Sequence, residues 1–272
     1  MRKKCLMVLH IILASVFGLP VIATIACSFM GSSELNEMIV NRGASLHLIP
    51  LKATLSGYYE LLFAGGTYLG MFWNSLYIAT SVAIGNAVVG LIVGYALAKT
   101  HFRGRNKLLF IYILVMMMPY QVTLLPNFMI IKKLGIFNTV WALILPGIFS
   151  PFGVFMLTQF MRLMPNEVVD AAKMETNSAL KVLAYVVAPI AFPGLVALFV
   201  MSFADAWNMV EQPLIMLRDT WRYPLSLALN DMHGNDNVIV SFSGAVLYML
   251  PVILLFRLFE EELIQGMSVA KL

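Results

Sequence analysis

The stretch "PNEVVDAAKMETNSALKVLAYVVAPIAFP", Pro165–Pro193, lies between two strongly apolar runs that a short turn would suffice to join. It carries Glu167, Asp170, Lys173, Glu175 and Lys181 instead. Pro165 suits a helix start, where its missing N–H is no loss, and Asn166 or Glu167 is expected to serve the exposed N–H groups of the first turn. A short helix is expected over Glu167–Glu175. At 100° per residue Val168, Val169 and Ala172 share one arc, while Glu167, Asp170 and Lys173 point elsewhere. Thr176, Asn177 and Ser178 are expected to break and recap the chain. A second helix then begins near Ala179 and enters the next apolar run. Two readings stand on these residues alone: an amphipathic surface helix with no partner, or a helix built to touch something.

The rest of the chain says what surrounds that helix. Of 272 residues 60% are hydrophobic and 12% charged, and the mean hydropathy is +0.85. A soluble domain carries about 25% charge, so this composition reads as an all-α membrane protein. Six apolar runs have the roughly 20 residues needed to cross a bilayer. They lie at about 6–29, 71–98, 108–130, 139–160, 184–210 and 241–259, and helices are expected because a helix satisfies its own backbone in lipid. With the N-terminus in the cytosol, the inner segments hold twelve Lys and Arg and the outer segments six, of the 18 in the chain. That bias favours cytoplasmic N- and C-termini; the outer pair Lys132–Lys133 runs against it. The outer segments at about 30–70 and 211–240 are too long for simple turns, and Pro213, Pro224 and "NDMHGNDN" read as turns within the second. The inner "AKTHFRGRNK" reads as a positive-inside clamp. The whole of 1–272 is expected to form a single transmembrane domain, with the first helix at about 6–29, a core at about 71–259 and the inner segment at 165–181.

Several chemistries are missing. No phosphate loop of the G-x-x-x-x-G-K-[ST] type is present, so this chain is not expected to hydrolyse nucleotide, and G-x-S-x-G and H-E-x-x-H are absent. Four scattered histidines and the lone Cys5 and Cys27 offer no metal-ligand spacing. No catalytic residue, metal or cofactor is expected, and the modest net charge of +4, spread in small groups, gives no nucleic-acid face. One polar stripe stands out in "SFADAWNMVEQP". Asp205, Asn208 and Glu211 recur at three-residue spacing, and a carboxylate inside an apolar run faces protein or water rather than lipid. The stripe is expected to line a pathway or an interface, or to make a structural hydrogen bond. Trp73 and Trp207 suit sugar stacking or a membrane interface, with the interface preferred.

"VVDAAKMETNSALKVLAYVVAPIAFPG", 168–194, resembles the inner-loop signature of permease subunits of binding-protein-dependent ABC importers. The matching residues are Asp170, Ala171 and Ala172, then Pro189 and Pro193. Asp170 stands where glutamate is usual and Thr176 where glycine is usual. "WNSLYIA" (73–79), "GYALAKTHFRGR" (94–105), "LGIFNTVWALILP" (134–146), "WN" (207–208) and "QGMS" (265–268) resemble the carbohydrate-importer branch, in its shorter, maltose-type second permease. The resemblance covers about residues 70 to 272, and the ending "VAKL" is short for that branch. It implies a type I ABC importer transmembrane domain of six helices. Glu167, Asp170, Ala171, Ala172, Glu175 and Thr176 would belong to a cytoplasmic coupling helix seated on an ATPase subunit. The implied partners are a second homologous permease, two ATPase subunits and an external solute-binding protein, in a bacterial or archaeal-type inner membrane. The implied task is ATP-driven uptake of a sugar or oligosaccharide. An ABC-coupled permease for a non-sugar solute and a channel or structural membrane protein are the alternatives.

Overall fold

The computed structural model describes residues 2–40, 49–64, 66–232 and 238–269, and every described regular element is helical. The chain divides into two compact units, Met1–Gly70 with Leu227–Val252, and Met71–Ser226 with Ile253–Leu272.

In the first unit α1 (Arg2–Ser28) is a single helix whose Ser15–Ser28 part is apolar. α2 (Ser32–Val40) and α3 (Ser56–Tyr59), which continues as a π turn over Glu60–Ala64, occupy the described parts of the expected outer segment. Met30, Leu35 and Ile239 make its core, with Cys27, Met38, Val240 and Phe242 beside them. The Ser28 hydroxyl lies 2.7 Å from the Tyr58 hydroxyl, and the Tyr68 hydroxyl donates to the Gly244 carbonyl.

The second unit carries most of the apolar helices. α4 (Tyr68–Lys99) and the stretch Trp141–Leu163, made of α7 (Trp141–Ile148) and α8 (Pro151–Leu163), are each long and apolar enough to cross a membrane, as is α15 (Val238–Leu258), most of which belongs to the first unit. The other two expected runs are not straight. α5 (Arg105–Met116) and α6 (Tyr120–Lys133) meet at 103°. Pro119 causes the break, because its ring disfavours helical backbone at Met118 and it holds an extended ψ of 137° itself. Ala179–Ile190 and α12 (Phe192–Trp207) meet at 79° at Ala191, between Pro189 and Pro193. The first of these two arms comprises α10 (Ala179–Val182), a π turn at Leu183–Val187 and α11 (Ala188–Ile190). The helix expected from Ala179 into the next apolar run is thus two arms bent at the prolines, since neither proline donates a backbone hydrogen bond.

The segment after α12 is also more ordered than its prolines suggest. Pro213 lies inside α13 (Glu211–Met216), and Pro224 is buried just before α14 (Leu225–Met232). Asn138 explains part of that order. It adopts a left-handed φ of 60°, a conformation asparagine tolerates better than most residues. Its Oδ1 accepts from the Arg218 and Asp219 backbone N–H groups, and its Nδ2 donates to Asp219 Oδ2 at 2.9 Å. The end of "NDMHGNDN" and nearly all of "VAKL" fall at 233–237 and 270–272, outside the described residues. The paired Lys132 and Lys133 end α6, where cations complement the helix dipole, and Lys132 sits 4.8 Å over the Phe128 ring.

α4 packs unusually close to α7 and α8. A Cβ on Gly85 would meet Ile148 at 2.4 Å, one on Gly147 would meet Val82 at 2.7 Å, and one on Gly153 would meet Asn86 Oδ1 at 2.1 Å. Small residues permit such approach between membrane helices, where packing rather than water exclusion drives association. Buried Asn86 spans the seam, donating to Ser202 of α12 at 2.9 Å, while its Oδ1 has no hydrogen-bond donor among the described residues. α16 (Glu260–Val269) closes on α12, with Gly266 against the Pro193 carbonyl and Leu263 buried beside Val196, Ala197 and Val200.

This seam yields a test. Gly153→Ala should cost about 1–3 kcal/mol through overpacking, and adding Asn86→Ala should recover part of the loss because both changes act on one contact. Thermal unfolding in detergent reads this; a Gly153→Ala chain as stable as the parent would contradict the packing.

Candidate functional site

The segment expected to lie on the inner side folds into α9 (Asn166–Glu175). Its start differs from the expectation at one point. Pro165 occupies the cap position, and no side chain caps the first turn. Asn166 turns its Oδ1 to another partner, Lys99 Nζ at 2.8 Å. The far end behaves as the polar triplet suggests. Thr176 is extended, its Oγ1 accepts from the Ser178 N–H, and the Ser178 hydroxyl accepts from the Lys181 N–H at the start of α10.

The helix has two distinct faces. Val169 is 1% exposed and packs with Ala98, Met161, Met164, Val182, Leu183 and Val187, with Ala172 partly buried against the same cluster. Val168, the third residue of the expected apolar arc, is instead 38% exposed. The face that remains free displays Glu167, Asp170, Ala171 and Glu175, all exposed, and Met174, 86% exposed. Thr176 is half-buried beyond its end. Asp170 pairs with Lys173 at 3.3 Å, a solvent-facing i,i+3 contact of little energetic weight. So the structure separates the six coupling candidates. Ala172 belongs to the chain's own core side, and the outward surface is acidic with one flexible apolar knob. Met174 was not singled out by pattern, because a methionine amid "AAKME" reads as ordinary helix filler.

Lys99 is the second residue that pattern reading passed over, having been counted only as part of a basic clamp. It ends α4 and is 5% exposed. Its ammonium donates to the Met164 carbonyl as well as to Asn166. Burying a cation is costly unless acceptors surround it. Here the acceptors are the backbone where α8 ends and the first residue of α9.

The polar stripe lies elsewhere on the second unit. Asp205 is exposed on α12, and among the described residues nothing donates to its carboxylate. Asn208 is exposed just after α12 and its Nδ2 donates to the Ala204 carbonyl at 2.8 Å. Glu211 opens α13 and accepts from Gln121 Nε2 at 3.2 and 3.3 Å. Gln121 sits in the first turn of α6, just past the Pro119 bend, so that bend brings a polar group from α6 to the stripe. Of the two tryptophans, Trp73 is exposed, whereas Trp207 is fully buried, stacked on Phe203 at 5.6 Å and edge-on to Phe72. Trp207 is thus a core residue, available neither to a sugar nor to a membrane interface.

Comparison with known proteins gives a consistent result. Residues 87–268 match the family described as binding-protein-dependent transport system inner membrane component. The chain is 31% identical to the arabinooligosaccharides transport system permease protein AraQ of Halalkalibacterium halodurans, over 92% of this chain and 89% of that one. It is 25% identical to the sn-glycerol-3-phosphate transport system permease protein UgpE of Brucella abortus, over 95% and 94% of the two chains. A chain of a bacterial ABC transporter involved in the import of the acidic polysaccharide alginate superposes with a TM-score of 0.81 at 18% identity, covering 96% of this chain and 97% of that one. That likeness establishes the fold.

The two faces of α9 predict opposite mutational behaviour. Val169→Asp should destabilise the chain by about 3 kcal/mol or more, since it buries an unpaired charge. Met174→Ser should stay within about 0.5 kcal/mol, as exposed substitutions do. Thermal unfolding of the purified chain checks both, and equal losses at the two positions would contradict the assigned faces.

Proposed function

The chain belongs to the family of binding-protein-dependent transport system inner membrane components, and from that membership we propose that it is the membrane-spanning permease subunit of an ATP-driven importer for a sugar or oligosaccharide. Residues 1–272 act as one transmembrane domain and form half of a translocation pathway, completed by a second homologous permease. Two ATPase subunits and an external binding protein drive the cycle. The substrate class rests on relatives named for arabinooligosaccharides, and the relative named for sn-glycerol-3-phosphate keeps a phosphorylated polyol as a second reading.

The observation that carries the proposal is α9. A ten-residue helix packed on one face against α10 and its π turn, joined to α8 and bonded to the end of α4, and bare on the other face, is a rigid element with a surface to offer. Glu167, Asp170, Ala171, Met174 and Glu175 are the residues we assign to ATPase contact, with Ala172 and Thr176 setting the helix's seat and exit. Push on such a helix and the helices bonded to it must move as bodies, the usual form of a switching transition in a packed core. On this reading the 165–181 segment and both termini are cytoplasmic. Asp205, Asn208 and Glu211 face the pathway or the partner permease, where an unpaired carboxylate meets water or polar groups instead of lipid.

Three measurements test this. A tag on this chain should retain an ATPase chain and a second permease when the complex is purified from native membranes, and loss of the chain should abolish ATP-dependent oligosaccharide uptake. Solute flux through the isolated chain without an ATPase would overturn the reading. In a background lacking Cys5 and Cys27, cysteines at Asn177 and Lys52 should label from opposite sides of the membrane; labelling from one side refutes the topology. Asp205→Asn should leave assembly intact and change the uptake rate, whereas unchanged uptake with lowered yield would make Asp205 structural.

A further inference from the structure

The joint between α8 and α9 is two residues long. Met164 and Pro165 are both extended, with ψ of 133° and 137°. Pro165 has no N–H, and its ring fixes its own φ, so the joint is stiff. Its weak point is the Met164 carbonyl, which ends a buried helix without an intrahelical partner. Lys99 supplies that partner, and the same ammonium holds Asn166 at the first position of α9. The three residues belong to one compact unit, and Met164 and Lys99 are buried at 7% and 5% exposure. The apolar cluster of Ala98, Met161, Met164, Val169 and Val182 lies beside these bonds; the bond to the Met164 carbonyl is buried and the bond to Asn166 reaches the surface.

We infer that Lys99 is a positioning residue for ATPase coupling: it locks the α8–α9 joint to the end of α4, so that displacement of α9 is delivered to that helix as well as to α8. Ala98 and Val169 belong to one apolar cluster, but an apolar contact slides. A buried ammonium held by two acceptors resists sliding, because parting from the buried Met164 carbonyl costs it that partner where no water replaces it. α4 has 32 residues, and at 1.5 Å per residue Trp73 lies about 39 Å along it from Lys99, so a displacement delivered at Lys99 is carried to the opposite part of the helix. The inference rests on the reading of α9 as the element that meets the ATPase.

The test uses the assembled complex in proteoliposomes, purified through a tag on this chain, with a single cysteine replacing exposed Trp73. Maleimide labelling at that cysteine, with and without trapped ATP, reports α4; co-purified ATPase chain and ATP hydrolysis report docking. In the parent the labelling rate depends on nucleotide. Lys99→Met should keep the ATPase bound and hydrolysing while the nucleotide dependence at position 73 is lost, and Lys99→Arg, which restores a cation, should restore it. A bond that merely stabilised the fold would lower assembly and leave the response of the assembled fraction intact. A full nucleotide response in Lys99→Met overturns the inference, as does a parent with no response at all. Should Lys99→Met fail to assemble, exposed Asn166→Ala removes one acceptor without touching the core; it should weaken the response, and an undiminished response overturns the inference. Met174→Asp separates the two levels. If it releases the ATPase while Lys99→Met responds normally, only the role of Lys99 falls. If Met174→Asp retains both ATPase and response, the docking role of α9 falls with it.

Discussion

Where a helix of this chain ends or bends, backbone groups lose their intrahelical partners, and the buried ones need another partner within the protein. That constraint accounts for the unusual polar contacts in the structure. The carbonyl at the end of α8 takes the Lys99 ammonium. The N–H of Leu225 at the start of α14 goes to the Ser75 hydroxyl at 2.7 Å. The backbone at Arg218 and Asp219 is tied by the side chain of Asn138. Each contact sits where a helix ends or the chain turns.

The breaks depend in turn on a rigid frame. The glycines along α4 and at 147 and 153 bring helices so near that side chains on one touch backbone on the other. Close packing of that kind does not deform gradually; it holds or it shifts to another register. A permease needs this property. Force applied at α9 is useful only if the helices attached to it move as wholes, and a frame of apolar seams with a few buried polar locks meets that need. The Pro119 bend serves a different end. It delivers Gln121 to Glu211 across two elements that are ninety residues apart in sequence.

Much of this was legible in the amino-acid order. The apolar runs, the short helix after Pro165, its break at Thr176 and the recap at Ser178 follow from period, length and turn chemistry. The motif resemblance pointed to the family that comparison then established. What escaped was tertiary. Periodicity places Val168, Val169 and Ala172 on one arc, but only packing decides that Val169 and Ala172 face inward and Val168 does not. Prolines in apolar runs announce a break without its angle, so 103° and 79° were invisible. Lys99 looked like one positive charge among several, because nothing local says that its acceptors lie some 65 residues on. Trp207 looked interfacial and is core, since its Phe203 neighbour is local but Phe72 is not.

The central claim is that the bare face of α9 meets an ATPase and that the opposite face is fixed to the chain's own helices. The most direct measurement is cross-linking from a single cysteine at position 174, in native membranes, followed by identification of the captured chain. The account predicts a cross-link to an ATPase subunit whose yield changes when ATP is trapped, with a cysteine at position 169 giving none. An intact complex in which position 174 captures no ATPase, in any nucleotide state, would contradict it.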